Sequence, residues 1–234
     1  MTAADNAAPD PDPDVGVERA SGVSPGWIVV LNGPPRSGKS SIVDVIQETF
    51  DGPWLNLGVD VFSQFVTPPR LRPGMGLRPG GGERPDIEAL IPALFAAFYD
   101  SVAAHSRYGL NVVVDVGHHE AYAKPLHVLP DAARRLAGLP ALLVGIRCPL
   151  PVIMQRRNIG QPGREGRYRT SGPGGEIPEA VRRWQREVHQ PGIYDLEVDT
   201  SAVTPETAAA LIRERLDGPP PTAFRQLAAD LTAR

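Results

Sequence analysis

An octapeptide near the start of the chain, Gly33-Pro34-Pro35-Arg36-Ser37-Gly38-Lys39-Ser40, limits what the sequence can become. Before it stands Trp27-Ile28-Val29-Val30-Leu31, continuously apolar and mostly β-branched, which reads as a strand buried on both faces. After it, Ile42, Val45, Ile46 and Phe50 recur at helical spacing. G-x-x-x-x-G-K-S between a strand and a helix is a phosphate-cradling loop. Its glycines let successive N–H groups curl around a phosphate, and the helix N-terminus adds a positive dipole end. In that loop the lysine reaches the β- and γ-phosphates and the final serine coordinates Mg²⁺. The expected nucleotide-binding residues are Gly33, Pro34, Pro35, Arg36, Ser37, Gly38, Lys39, Ser40 and Ser41.

Lysine usage reinforces the motif. The 234 residues hold 24 basic side chains, of which only Lys39 and Lys124 are lysines. Net charge is −3, and residues 1–20 alone carry five acids and one base. The remaining body is near neutral, unlike a general nucleic-acid binder. One cysteine excludes an internal disulfide framework. No apolar run approaches the roughly 18 residues of a membrane span, and the N-terminus lacks a basic-then-apolar leader. The cytoplasm is the expected compartment.

Strand-like and helix-like patterns alternate along the chain. Residues 1–25 read as an acidic disordered tail, and 26–234 as one domain. Further strands are expected at 54–58, 111–115, 141–147 and 194–199. Helices are expected around 87–102 with an interruption at Pro92, 123–137 with a break at Pro130, 150–158, 178–189, from Thr204-Pro205-Glu206 onward, and 223–232. Residues 67–85, with five prolines, five glycines and no apolar period, read as a long loop. The fold class that follows is α/β, a five-stranded parallel sheet with helices on both faces.

A phosphate loop does not by itself name a reaction. The guanine signature N-K-x-D is absent, because Gly38 and Ala123 precede the two lysines. Strand 111–115 ends in Asp115, which reads either as a partner of Ser40 in a Mg²⁺ shell or as a cap of the next turn. No glutamate follows it to activate water, which leaves room for transfer to a hydroxyl rather than hydrolysis.

The sequence resembles the chloramphenicol phosphotransferase-like P-loop kinases. The resemblance rests on Ile28-Val29-Val30-Leu31-Asn32-Gly33 before the loop, Pro53-Trp54-Leu55 with Gly58-Val59-Asp60, Val144-Gly145-Ile146-Arg147-Cys148, and Val188-His189 with Tyr194-Asp195-Leu196-Glu197-Val198-Asp199-Thr200. It implies transfer of the ATP γ-phosphate, with Mg²⁺, to a hydroxyl of a small molecule, an antibiotic such as chloramphenicol in the founding case. It also implies that Asp60 is the base on that hydroxyl. The residues agree, since a carboxylate just past the second strand faces the crevice where α/β sheets bind ligands. A helix cap is the alternative for Asp60. Residues 1–25, parts of 67–85 and everything after about 214 look like additions to the family pattern.

Five arginines, Arg156, Arg157, Arg164, Arg167 and Arg169, lie in or beside a Gly-rich stretch that reads as a lid over about 156–175. Arg156 and Arg164 are the expected catalytic pair, set against the transferring phosphoryl; a solvated loop is the alternative. His118-His119-Glu120 has the wrong spacing for zinc and reads as an acceptor-side loop or a surface cluster. Cys148 reads as core filler and Trp184 as core. Two other functions remain open: a kinase of nucleotide sugars or nucleic-acid ends, and a non-catalytic ATP-binding module.

Overall fold

A computed structural model describes residues 22–160, 166 and 168–232. The expected 1–25 tail therefore falls largely outside the described residues, as do Arg164 and Arg167.

Five parallel strands form one sheet in the order β2-β3-β1-β4-β5: β1 (Ile28–Asn32), β2 (Trp54–Asn56), β3 (Asn111–Val116), β4 (Ala141–Arg147) and β5 (Leu196–Asp199). The central strand β1 is buried at every residue because it is apolar on both faces. Ile28 and Val30 project into one core, with Val112, Val114 and Leu143. Val29 and Leu31 project into the other, with Val113, Leu142 and Val144. Register places Leu31 beside Asp115, so the loop after β1 and the carboxylate of β3 emerge at the same edge.

Helix α1 (Lys39–Thr49) and helix α8 (Pro205–Leu216) cover the second core, through Ile42, Ile46, Ala208 and Ile212. Thr204 caps α8, its Oγ1 accepting from Thr207 N at 3.3 Å. The opposite core is covered by α4 (Ile91–Arg107), α5 (Val128–Arg135) and α9 (Ala223–Thr232). Two further helices, α6 (Leu150–Ile159) and α7 (Glu179–Glu187), flank the C-terminal edge of the sheet. The interruption expected at Pro92 separates a short α3 (Pro85–Glu88) from α4, with the proline in α4's first turn. Among the described residues no helix is long and apolar enough to cross a membrane.

Three expectations need correction. The helix expected over 123–137 begins only at Val128, and Pro130 does not break it, because a proline in the first turn forfeits no helical bond. β2 stops at Asn56, after which Val59–Val61 form a helical turn, α2, that runs on as a π-helical turn, Phe62–Val66. Residues 67–84 are a loop, yet not a loose one. Arg72 donates to the carbonyls of Thr67 and Gln64, and Met75 and Leu77 are each only 3% exposed.

Candidate active site

The loop after β1 closes onto α1 through Gly38, whose φ of +92° a side chain would strain. Lys39 opens the helix. Its Nζ donates to Gly33 O at 2.8 Å and Pro34 O at 3.0 Å, which holds the ammonium over the mouth of the loop. Burial lowers the Lys39 pKa, Asp115 and then Asp60 oppose that, and Arg157 adds to it. Lys39 therefore lies within electrostatic reach of both carboxylates that the sequence singles out.

Ser40 Oγ donates to Asp115 Oδ2 at 3.2 Å. Two hard oxygen donors thus meet at the foot of the loop, a set suited to Mg²⁺. Gly58 packs against the same carboxylate, for a Cβ there would lie 1.8 Å from Asp115 Oδ1. Asp60 is the second residue of α2, whose cap position belongs to Gly58 and carries no side-chain bond. Asp60 lines the cavity beside Lys39, Ser40 and Asp115.

That cavity has a volume of about 990 Å³. Its walls include the phosphate loop, Arg156, Arg157, Tyr168 and Thr200, the apolar side chains Met75, Leu77, Phe95, Val181 and Trp184, and the charged residues Arg78, Glu83 and Arg84. Trp184 is 9% exposed and so mostly core, but it also forms part of the cavity wall.

The arginines divide by role. Arg156 donates to Thr200 O at 2.7 Å, Thr200 Oγ1 at 3.2 Å and Arg36 O at 3.3 Å, bracing the β5–α8 loop against the phosphate loop. Arg157, its neighbour, is 5% exposed. It reaches Pro35 O at 3.4 Å and Arg169 O at 3.3 Å; burial, opposed by Tyr168 and aided by repulsion from Arg36 and Arg78, brings its pKa down to about 10. Arg36 donates to Gly160 O at 2.9 Å and to Arg156 O. Spacing along the sequence could not separate Arg156 from Arg157, since only the docking of α6 on the loop decides which guanidinium is buried there. Of the two arginines expected to act, Arg156 lies in the brace and Arg164 lies outside the described residues.

The surface alternative for His118-His119-Glu120 does not hold. His118 and His119 are 4% and 3% exposed. Tyr99 OH and His118 Nε2 are 2.5 Å apart, and His119 Nε2 meets Leu77 O at 3.1 Å, so this histidine fastens the 67–84 loop. Glu120 accepts from the N–H groups of Leu126, His127 and Val128 at 2.8–3.1 Å. Cys148 is buried with Ile153, Met154 and Val181, as core filler should be.

Residues 26–217 match the family described as chloramphenicol phosphotransferase-like protein. The chain belongs to that family. As a family member it is 25% identical, over 221 residues, to a protein described as a candidate O-phosphotransferase in two strains of Mycobacterium tuberculosis; the match spans 88% of this chain and 90% of that protein. Solved structures of similar fold include a sugar kinase from Janibacter (TM-score 0.54, 15% identity, 82% of this chain and 95% of that one). They also include the Mycobacterium tuberculosis APS kinase in complex with AMPPNP and APS (0.52, 15%, 83% and 99%) and the Deinococcus radiodurans tunicamycin resistance protein (0.50, 16%, 84% and 98%). These likenesses establish the P-loop kinase fold, and the family establishes a phosphotransferase of kinase type. In this member α9 lies beyond the matched residues. It is nonetheless built in, since Ala223, Phe224 and Leu227 are buried and Asp195 Oδ1 accepts from Thr222 N and Ala223 N at its start.

Proposed function

We propose that this chain is an O-phosphotransferase that moves the γ-phosphoryl group of ATP to a hydroxyl of a small molecule. The observation that carries this reading is the convergence of Lys39, Ser40, Asp115 and Asp60 in the wall of one cavity. The loop amides and Lys39 hold the β- and γ-phosphates. Ser40 and Asp115 are the residues that would hold Mg²⁺, which when bound neutralises charge on the β- and γ-phosphate oxygens. Arg157, buried against the loop with carbonyls for hydrogen-bond partners, supplies charge to the phosphoryl group in transfer.

Asp60 accepts the proton of the acceptor hydroxyl. That oxygen bonds to the γ-phosphorus as the bond to the bridging β–γ oxygen breaks, and ADP leaves. The apolar wall of Met75, Leu77, Phe95 and Trp184 gives the acceptor's carbon skeleton a place, and hydroxylated antibiotics are the first class to try.

The test is ADP release from Mg²⁺-ATP with a panel of hydroxylated antibiotics, chloramphenicol included, and nucleotide sugars. A compound that stimulates release and gains the mass of one phosphoryl group establishes the transferase. Lys39→Ala should abolish ATP binding, and Asp60→Ala should spare binding while removing transfer. Normal turnover by the Asp60 variant removes the base from this mechanism.

A further inference from the structure

Tyr168 stands between two guanidinium groups. Arg36 of the phosphate loop lies 5.5 Å from its ring centroid and Arg157 of α6 lies 5.6 Å from it. Tyr168, Arg36 and Arg157 all line the cavity that the phosphate loop opens into. The segment that carries the ring is fixed to the end of α6. Asn158 Nδ2 donates to Ser171 Oγ and Ser171 N returns a bond to Asn158 Oδ1, both at 3.0 Å. Arg169, next to the tyrosine, offers its carbonyl to Arg157.

A buried guanidinium needs compensation, and a carboxylate is the usual source. Among the described residues Arg157 contacts no carboxylate: its recorded partners are two carbonyls and the face of Tyr168. The difference matters at an anion site. A carboxylate would cancel the charge and compete with phosphate, whereas an aromatic face attracts a cation through its quadrupole and leaves the net charge intact. Carbonyl dipoles act likewise. Arg36 also sits at φ +74°, unusual for a residue with a side chain, and its guanidinium is tied to Arg156 O and Gly160 O.

We propose that Tyr168 is a positioning residue. Its ring face compensates the buried Arg157 guanidinium beside Arg36 without cancelling the Arg157 charge, which stays available to the polyphosphate of the nucleotide. The inference rests on the nucleotide-binding reading above, and it needs no knowledge of the acceptor.

The experiment is calorimetric titration of Mg²⁺-ATP into the full chain and into Tyr168→Leu, Tyr168→Phe, Arg157→Ala and the Tyr168→Leu/Arg157→Ala double variant. Tyr168→Leu should weaken ATP binding about tenfold, the scale of a desolvated cation–π contact. Tyr168→Phe, which keeps the face and loses the hydroxyl, should bind as the parent does. The double variant should bind no more weakly than Arg157→Ala by more than about twofold, because both changes remove one interaction. A merely structural tyrosine would give additive losses. Unchanged affinity in Tyr168→Leu, equal loss in Tyr168→Phe, or additivity in the double variant overturns the inference while leaving the proposed function standing. Failure of the parent chain to bind Mg²⁺-ATP would instead remove the proposed function, and this inference with it.

Discussion

A Cβ on Gly58 would overlap Asp115 Oδ1, at 1.8 Å, although the Gly58 backbone (φ −60°, ψ 158°) suits any residue. Glycine is required there by proximity, not by conformation. The sheet holds the Asp115 backbone and Ser40 meets its carboxylate, so a Cβ on Gly58 pushes directly on the Ser40 contact. Gly58→Ala should therefore separate Ser40 from Asp115 while leaving the two cores untouched. The expected outcome is a rise in the Mg²⁺ concentration needed for half-maximal turnover and a fall in turnover of about 100-fold, the scale of an ångström-sized misplacement. A metal titration of turnover, with circular dichroism to confirm the fold, checks it. An unchanged Mg²⁺ dependence would show that Asp115 is not a metal partner. The Gly58-Val59-Asp60 stretch is thus constrained twice over, once by contact with Asp115 and once by the place of Asp60 in the cavity wall.

At the scale of elements, what could be read from sequence follows the range of the interactions. β1, the phosphate loop and α1 were legible because a continuous apolar run, a Gly-rich turn and an amphipathic period are local patterns. The Thr204 cap was legible for the same reason. Residues 67–84 were not, because Met75 and Leu77 enter the core singly, without a period. What orders them is distant or irregular: arginine–carbonyl bonds, His119 at Leu77 O, and Glu88 Oε1 accepting from Gly82 N at 2.6 Å. Asp60 and Asp115 could be singled out by their positions at or just past strand ends, whereas the burial of Arg157 beside the phosphate loop needed the docking of α6. Glu120 shows how a charged residue in an apparent motif can be wholly structural. It gathers three N–H groups at the start of α5, where His127 sits at φ +52°. Removing an ionised acceptor from several donors costs more than an ordinary cap. Glu120→Ala should lower unfolding free energy by about 2 kcal/mol and Glu120→Gln by about half of that, read by urea denaturation with ATP affinity unchanged. A loss below about 0.5 kcal/mol in Glu120→Ala would show that water replaces the carboxylate at no cost.

Across the whole molecule, histidines that the fold buries should weaken stability in acid. Burial, with a smaller repulsion from His119, brings the His118 pKa down to about 3. Burial brings His119 down to about 4 against a partial rescue from Leu77 O and Glu88, and it brings His189 to about 4 with help from Arg147. His118 bonds to Tyr99 OH and His189 to Tyr194 OH at 2.9 Å, while the His119 bond to Leu77 O favours the protonated ring and only partly offsets burial. The sign follows directly. In the unfolded chain these groups take up protons near pH 6.5, while in the native chain they remain neutral until about pH 4. Between those limits the unfolded state binds more protons, so stability falls as pH drops through that window. Each histidine contributes at most about 1.4 kcal/mol per pH unit. By pH 5 three such groups remove about 6 kcal/mol, a large share of a total stability of roughly 5–15 kcal/mol. They also tie acid sensitivity to the site, because His119 fastens the loop that bears Leu77 and touches Trp184, both of them cavity walls. Urea denaturation at pH 7.5, 6 and 5 should show a progressive loss, and His189→Gln should reduce its slope by about one third. Equal stability at pH 7.5 and pH 5 would mean that the histidines protonate in the native state without opening it, and that their burial does not weaken stability in acid.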